Sequence, residues 1–387
     1  MKEATRLIHA GEGADAGATP SLTTPIYETS TFVFDSVADV IKYQEGKLNG
    51  YLYSRYENPT VVAVEKKLAA VDGAEQSLLF SSGMAAISTA LITLLKAGDE
   101  IVCCSAIYGG TFHIIEDLLP KLGIERRFVP LEAFANPASV IGPKTKIVWF
   151  ESPINPTLRC IDVGAVAAAC RNAGVLSAID NTFASPINQP VLSMGIALSM
   201  QSCTKYLNGH SDVTGGVLSG ARALMAPLAK MRRLLGGIMD PQPAFALGRG
   251  MKTMPLRVAQ HNANALAVAQ HLERHPAIAR VYHPGLTSHP DHQIAKSQMS
   301  GFGGMVTIDL TGGKDAAFAT FDRLKVIKRA ASLGGVESIC SLPILTSQYG
   351  LTDDELVKAG VTKGMIRMSI GLEDVQDLIE DLEQALP

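Results

Sequence analysis

The sequence predicts an α/β protein in which a mainly parallel, doubly wound sheet is followed by a smaller C-terminal α+β domain. Two observations lead there. From "QSLLF" onward, short apolar runs alternate with helical segments, the pattern of a parallel sheet covered on both faces. Near residue 240 the breaker-rich "GGIMDPQP" interrupts the alternation, and a long helical pattern with a few short strands follows. The expected organisation is an arm over residues 1–50, an α/β domain over 51–240 and an α+β domain over 241–387.

Taken in order, residues 1–50 are rich in Thr, Pro and Gly with short apolar clusters such as "PIYETSTFVF", as suits an arm. Val61, Val64, Leu68 and Val71 recur at helical spacing before the stop at Gly73. Strands are expected at "QSLLFSSGM", "EIVCCS", "KIVWFES", "LSAIDN" and "LSMQSCTK". Helices are expected between them at "AAISTALITLLKAG", "TFHIIEDLLPKLG" and "GAVAAACRNAG". Beyond residue 240, "PLRVAQHNANALAVAQHLERH" reads as a helix, and "GMVTIDL", "VIKRAASLG" and "MIRMSIGLE" read as strands. The chain closes on an apolar stripe of Val375, Leu378, Ile379, Leu382 and Leu386.

The 387 residues are 47% hydrophobic and 18% charged, with 34 basic against 37 acidic side chains and a net charge of -3. Charges of both signs are interspersed, so there is no electrostatic footprint for nucleic acid or an anionic membrane, and small molecules are the expected partners. The N-terminus lacks the apolar core of a signal peptide and no run approaches a membrane span, so the cytoplasm is the expected location. Six cysteines without a C-x-x-C spacing suggest buried free thiols instead of a disulfide scaffold or zinc site. The H-x-x-H of His289 and His292 sits in a Pro-containing loop that would not align the rings on a metal.

In an open α/β sheet, ligands bind beyond the carboxyl ends of the strands. Four expected strands end in polar residues there: "LLFSSGM", "IVWFES" in Glu151, "LSAIDN" in Asp180 and "SMQSCTK" in Lys205. Ser82, Gly83 and Met84 open a helix, where free N–H groups and the helix dipole form an anion site. This stretch lacks the G-K-[ST] ending of a P-loop, and "GFGGMV" has Val306 where a dinucleotide fingerprint needs glycine. A phosphate-bearing cofactor other than a nucleoside triphosphate or NAD fits better.

"SCTK" admits two chemistries. As S-x-x-K, Ser202 would be a nucleophile with Lys205 as its base, but that arrangement starts a helix and needs S-D-N and K-T-G elements. Here the motif follows a strand, and only "HSDV" and "MKTM" stand where those elements could be sought. The alternative is a Schiff-base lysine. It needs a depressed pKa, and pyridoxal phosphate needs an acid at its ring nitrogen to act as an electron sink. Lys205, Asp180 and "SSGM" are those parts, and Ser202 and Thr204 become phosphate ligands.

From "TRLIHAG" to "IRMSIGLED", these ordered motifs resemble the Cys/Met-metabolism, or trans-sulfuration, family of pyridoxal phosphate enzymes. That family includes cystathionine γ-lyase, cystathionine γ-synthase, methionine γ-lyase and O-acylhomoserine sulfhydrylase. The resemblance implies the PLP fold-type I of the aspartate aminotransferase kind. It further implies that Lys205 carries the cofactor, that Ser82, Gly83, Met84, Ser202 and Thr204 hold the phosphate, and that Asp180 with Thr182 serves the pyridine nitrogen. Tyr108 is implied to stack on the ring and assist proton transfer, while Tyr53 and Arg55 reach the phosphate in a neighbouring subunit. That last assignment requires a dimer with active sites shared across its interface, and the resemblance implies a homotetramer built as a dimer of such dimers.

By the same resemblance, Arg367 clamps the substrate α-carboxylate, flanked by Asn155 and Ser332, a role suited to a planar bidentate donor. Taken alone, Arg367 would fit a structural ion pair with Glu373, Asn155 a loop cap, Glu151 a loop-orienting group and Tyr27 a core residue. Family members acting on cystathionine often carry acidic residues where this chain has Leu52 and Ala331. His113 stands where they often have arginine, Gly110 replaces the cysteine of many methionine lyases, and "LPILTSQYG" lacks a histidine common there. The expected activity is carbon-sulfur lysis by γ-elimination on cystathionine, homocysteine or methionine. The alternatives are γ-replacement, then β-elimination of cystathionine, then an aminotransferase or a non-catalytic homologue on the same fold.

Overall fold

The computed structural model describes residues 2–12 and 21–387; the expectation for an N-terminal arm falls partly outside them. Among the described residues, twelve strands form two sheets. The larger contains β1 (Gln76–Phe80), β2 (Glu100–Cys104), β3 (Glu125–Val129), β4 (Thr145–Glu151), β5 (Leu176–Asp180), β6 (Leu198–Ser202) and β7 (Gly216–Gly220). Its order is β1-β7-β6-β5-β4-β2-β3. The pairs from β6 through β5, β4 and β2 to β3 are parallel, while β7 runs antiparallel between β1 and β6.

The smaller sheet contains β8 (Ile278–Tyr282), β9 (Met305–Leu310), β10 (Lys328–Arg329), β11 (Ile339–Ser341) and β12 (Met365–Ser369), in the order β10-β11-β12-β9-β8. The α/β class is therefore observed, with a mainly parallel large sheet and a second, smaller sheet. Each sheet has its own apolar core: one around Phe80, Trp149 and Phe150, the other around Val306, Ile366 and Leu382. A third cluster, including Leu68, Leu79, Leu207 and Met251, packs helix Pro59–Asp72 against helix Pro241–Met251 and the back of the large sheet.

Local chemistry explains most boundaries. Asn58 accepts from the Thr60 N–H, and Pro59, whose missing donor is harmless in the first turn, opens helix Pro59–Asp72. Ser82 likewise accepts from the Ala85 N–H to start helix Gly83–Leu94. The single helix expected over "TFHIIEDLLPKLG" is instead three short pieces, Gly109–His113, Ile114–Leu118 and Leu119–Leu122. Pro120 explains the break, since it lacks an N–H and its ring crowds the preceding turn. "VIKRAASLG" keeps only the two strand residues Lys328–Arg329, because Ser332 turns to φ 99. Periodicity also passed over polar β3, glycine-rich β7 and helix Arg222–Leu235, which carries Pro227 inside it.

No residue from 21 to 52 is buried, and Leu22 and Val33 are 94% and 92% exposed, so this segment packs little of its apolar surface on its own chain. All six cysteines are buried and free. Among the described residues no helix is long and apolar enough to cross a membrane.

One buried ion pair ties three elements together. Glu65, on helix Pro59–Asp72, accepts from the Leu79 N–H of β1 at 2.8 Å and from Arg232 of helix Arg222–Leu235. Arg232 Nη1 also donates to the Leu79 carbonyl at 2.6 Å. Removing one partner of such a pair strands the other charge in the interior. Arg232→Ala is expected to cost about 3–5 kcal/mol in urea unfolding; a loss below the ~0.5 kcal/mol of an ordinary surface substitution would deny the pair that role.

Candidate active site

The parallel register of the large sheet places its polar strand ends side by side. Glu151 of β4 pairs with Asp180 of β5, which pairs with Met200 of β6. Ser202 lies two residues on, at the end of β6, and Lys205 in the turn after it. A cavity of about 650 Å³ opens at this edge, lined by Ser82, Gly83, Met84, Tyr108, Glu151, Asn155, Asp180 and Thr182. Ser202, Thr204, Lys205, Ser332 and Arg367 add further polar groups, with Ala331 beside them. The crossover expected between Asp180 and Lys205 is present, since β5 and β6 are parallel neighbours.

Lys205 Nζ donates to Ser332 Oγ at 2.6 Å. Burial, with help from the charge of Arg367, lowers its pKa to about 8, against a smaller opposing pull from Asp180. The Asp180 carboxyl is pushed up by burial and held back by the Thr182 N–H, the Thr182 hydroxyl and Lys205. Thr182 Oγ1 also accepts from the Ser202 N–H at 2.8 Å, which locks β5 to β6 at the site.

Arg367, on β12 of the small sheet, reaches the same cavity. Its Nη1 donates to Asn155 Oδ1 at 2.9 Å and its Nη2 to the Ser332 carbonyl at 3.2 Å. Glu373, the alternative ion-pair partner, instead accepts from the Ser338 N–H and hydroxyl. Burial lowers the Arg367 pKa to about 10, which leaves it charged at neutral pH. Ser332 thus contacts both cations, and it does so at a φ of 99 that side chains rarely adopt. Strain of this kind costs on the order of 1–3 kcal/mol and persists where surrounding contacts impose it.

Tyr108 precedes helix Gly109–His113, and its N–H donates to Glu151 Oε1 at 2.7 Å. Its ring lies over Gly110: a Cβ there would come 2.6 Å from Tyr108 Cε1 and 2.7 Å from Met84 Sδ. A side chain at the glycine noted in place of cysteine would require Tyr108 or Met84 to shift.

Four expected residues stand outside the cavity of the single chain. His113 is exposed and faces Asp117, with Nδ1 3.2 Å from Oδ2. Arg55 donates to the Arg233 carbonyl at 2.7 Å and stacks on Tyr53 and Tyr56, while Leu52 and Tyr53 line other surface. Sequence reasoning missed Phe183, Met200, Thr214, Thr346 and Ser347 as lining residues, and it left Glu151 a bland role. Only Glu151 carried a usable signal, a lone acid ending an apolar strand. Tyr27 is half-buried, its N–H donating to Thr60 Oγ1, and not a core residue. His289 is buried, contacting the Thr157 carbonyl and the Asp291 N–H, while His292 begins helix His292–Gln298 with its ring on the Pro284 carbonyl.

Fold and cleft together define an α/β enzyme class with a half-buried, low-pKa lysine at the carboxyl edge of its sheet. The family model described as Cys/Met metabolism PLP-dependent enzyme matches residues 4–387, and the chain belongs to that family. It is 39% identical to cystathionine gamma-lyase of Bacillus subtilis over 100% of this chain and 99% of that one. It is 40% identical to L-methionine gamma-lyase of Fusobacterium nucleatum subsp. polymorphum over 99% and 97% of the two chains. Cystathionine gamma-synthase 1, chloroplastic, of Nicotiana tabacum is 41% identical over 98% of this chain and 71% of that protein. The crystal structure of cystathionine gamma-lyase from Lactobacillus plantarum complexed with L-serine superimposes with a TM-score of 0.93 at 37% identity, covering 100% and 98%. The protein is thus a PLP-dependent lyase or synthase of sulfur amino acid metabolism with PLP fold-type I, and its cofactor is pyridoxal 5'-phosphate.

The residues present fit that cofactor. The first N–H groups of helix Gly83–Leu94 lack intrahelical acceptors and face the cavity. The cradle below them is tight: a Cβ on Gly216 would lie 2.4 Å from the Ser82 carbonyl oxygen, so β7 passes there only as glycine. The hydroxyls of Ser202 and Thr204, the Asp180 carboxylate and the Lys205 amine complete a donor set suited to a phosphate, a pyridine nitrogen and an aldehyde.

The depressed Lys205 pKa has a direct check in the cofactor-free protein. Above about pH 8 the amine is neutral and nucleophilic, below it is ammonium. Acylation of Lys205, followed by peptide mapping against Lys205→Ala, is expected to be half-maximal near pH 8. A midpoint at the ~10.4 of an ordinary lysine would overturn this account of the site.

Proposed function

We propose that the protein is a carbon-sulfur lyase carrying out γ-elimination on a short sulfur amino acid, homocysteine or methionine, with cystathionine a further substrate. The products are 2-oxobutanoate, ammonia and a thiol. The observation that carries this reading is the Ser332 junction, where the Lys205 amine and the Arg367 guanidinium converge on one residue beside Asp180. A group that moves a proton at Cα and a group that holds the α-carboxylate must lie this close, because Cα and the carboxyl carbon are bonded neighbours.

When bound, pyridoxal phosphate supplies an electron sink for the carbanion at the substrate Cα. The chain's own residues do the rest. Gly83, Met84, Ser202 and Thr204 hold the phosphate, and Asp180, oriented by Thr182, keeps a proton on the ring nitrogen. Lys205 anchors the cofactor, then as a free amine removes the α-proton and delivers protons along the chain. Tyr108 covers the ring face and assists departure of the group on Cγ as an acid or base. Arg367, held by Asn155, fixes the carboxylate.

The rest of the wall favours a neutral side chain. Ala331, Thr346, Ser347 and Tyr108 offer no fixed charge for a distal amino group. Leu52, Tyr53 and Arg55, outside the cavity of one chain, are assigned to the neighbouring subunit's site in a homotetramer, and the exposed apolar side chains of residues 21–52 support such an interface. His113 is assigned only to the rim. The proposed setting is the cytoplasm, in keeping with six free thiols. Gamma-replacement is the second reading, favoured by the 41% identity to a cystathionine gamma-synthase.

The purified holoenzyme is to be offered homocysteine, methionine, cystathionine, and O-acetyl- or O-succinylhomoserine with sulfide or cysteine. Release of 2-oxobutanoate without added thiol is expected; a thioether or homocysteine formed from the acyl ester identifies replacement instead, and pyruvate from cystathionine identifies β-elimination. Lys205→Ala is expected to lose both the yellow colour and turnover. Arg367→Lys, which exchanges a planar fork for a point charge, is expected to raise KM roughly ten- to hundredfold, the cost of one or two charge-assisted hydrogen bonds. Full activity of either variant would sink the assignment.

A further inference from the structure

Glu151 is buried, lines the cavity, and has no task in the reaction as described. It stands in register with Asp180 on the neighbouring parallel strand, so two carboxyl groups share one water-poor edge. Like charges that close do not both ionise in the interior, and one proton is shared between them. Geometry decides which group keeps it. Asp180 receives two hydrogen bonds from Thr182 and faces the Lys205 cation, all favouring the carboxylate. Glu151 receives one, from the Tyr108 N–H, and its other close titratable neighbours are the buried thiols Cys103 and Cys104, which bring no positive charge.

We infer that Glu151 is a positioning residue: an uncharged acid whose carbonyl oxygen holds the Tyr108 N–H and thereby sets the ring of Tyr108 over the cofactor. The inference rests on the reading of Tyr108 and Asp180 given above. Burial, with the repulsion of Asp180 next, raises the Glu151 pKa well above the usual carboxylate range, in agreement with the hydrogen-bond count. Tyr108 has few other restraints, since its side chain is 49% exposed and its ring rests on Gly110. The Tyr108 carbonyl accepts from the Phe112 N–H at 3.0 Å within the helix that follows, so the Glu151 contact is the bond that ties this residue back to the sheet. An ionised Glu151 would add a second negative charge beside the ring nitrogen and blunt the distinction between Asp180 and its surroundings. A neutral one fixes Tyr108 without that field.

The test uses Glu151→Gln and Glu151→Ala in the holoenzyme. Glutamine keeps a carbonyl acceptor and no charge, so kcat is expected to stay within about threefold of wild type, with an unchanged pH midpoint of the cofactor's visible absorbance. Alanine leaves the Tyr108 N–H without its acceptor, and kcat is expected to fall roughly ten- to hundredfold, the rate equivalent of one buried unmet hydrogen bond. A shift of the absorbance midpoint by about a full pH unit in Glu151→Gln would mean that Glu151 is charged and would overturn the inference. Wild-type kcat in Glu151→Ala would overturn the positioning role. Should the alanine variant fail to fold, the glutamine variant decides alone.

The cofactor-free protein gives an independent readout. A group protonated in the fold and ionised above about pH 4.3 when unfolded makes stability fall as pH rises from there toward its folded pKa. Glu151→Gln is expected to remove that component, so its unfolding midpoint gains on wild type between pH 5 and 8; parallel curves would overturn the inference. A wild-type chain that binds no pyridoxal phosphate would overturn the function reading and leave this comparison standing.

Discussion

The register of β4, β5 and β6 is the constraint on which the rest depends. Because parallel strands run in the same direction, residues that end apolar runs at matched positions emerge together, as Glu151 and Asp180 do, with Met200 of β6 alongside Asp180. Once that register is set, the helix starting at Gly83 and the turn carrying Lys205 have only one edge to serve. A one-residue slip of β5 would turn Asp180 to the opposite face of the sheet and dismantle the site while leaving the core composition intact. The Thr182 hydroxyl guards against it, taking the Ser202 N–H while donating to Asp180.

The cleft is made by two bodies with separate cores. The large sheet supplies the lysine, the acid and the anion site, and the small sheet supplies Arg367 from β12 and Ser332 from the segment between β10 and β11. Lys205 to Ser332 is one bond across the join at the cleft, and Arg367 to Asn155 is another. Both use cations drawn out of water, Lys205 half-buried and Arg367 buried; burial lowers both pKa values, but from starting points so far apart that only the lysine approaches neutrality. One environment therefore produces a nucleophilic amine and a permanent cation.

Legibility in the sequence follows the range of the forces involved. Strands β1, β2, β4, β5 and β6 were readable because burial on both faces forces an unbroken apolar run. The edge strand β3, "ERRFV", was not, because one of its sides meets solvent, and β7 was not, because its glycines serve close contact with the Ser82 turn and not strand propensity. Lys205, Asp180 and the "SSGM" turn could be identified since strand ends and helix starts are local features. Arg367 and Asn155, 212 positions apart, could be assigned only by family resemblance, for no local rule brings them together. Thr346 and Ser347 reach the cavity by loop packing, which leaves no trace in composition.

Selectivity among sulfur amino acids is the least local property of all. Ala331 lines the cavity of one chain, whereas Leu52 and His113 lie outside it. Gly110 acts differently from each of them: it touches Tyr108 and Met84, residues already committed to the cofactor end. A side chain there would meet the Tyr108 ring and the Met84 sulfur before anything else. The cavity wall at Tyr108 thus depends on Gly110, against which the ring lies, and on the backbone tether of Tyr108 to Glu151, while Ala331 lines the cavity separately. Gly110 and Glu151 both act through Tyr108, one on its ring and the other on its backbone, so neither position can be read without the other.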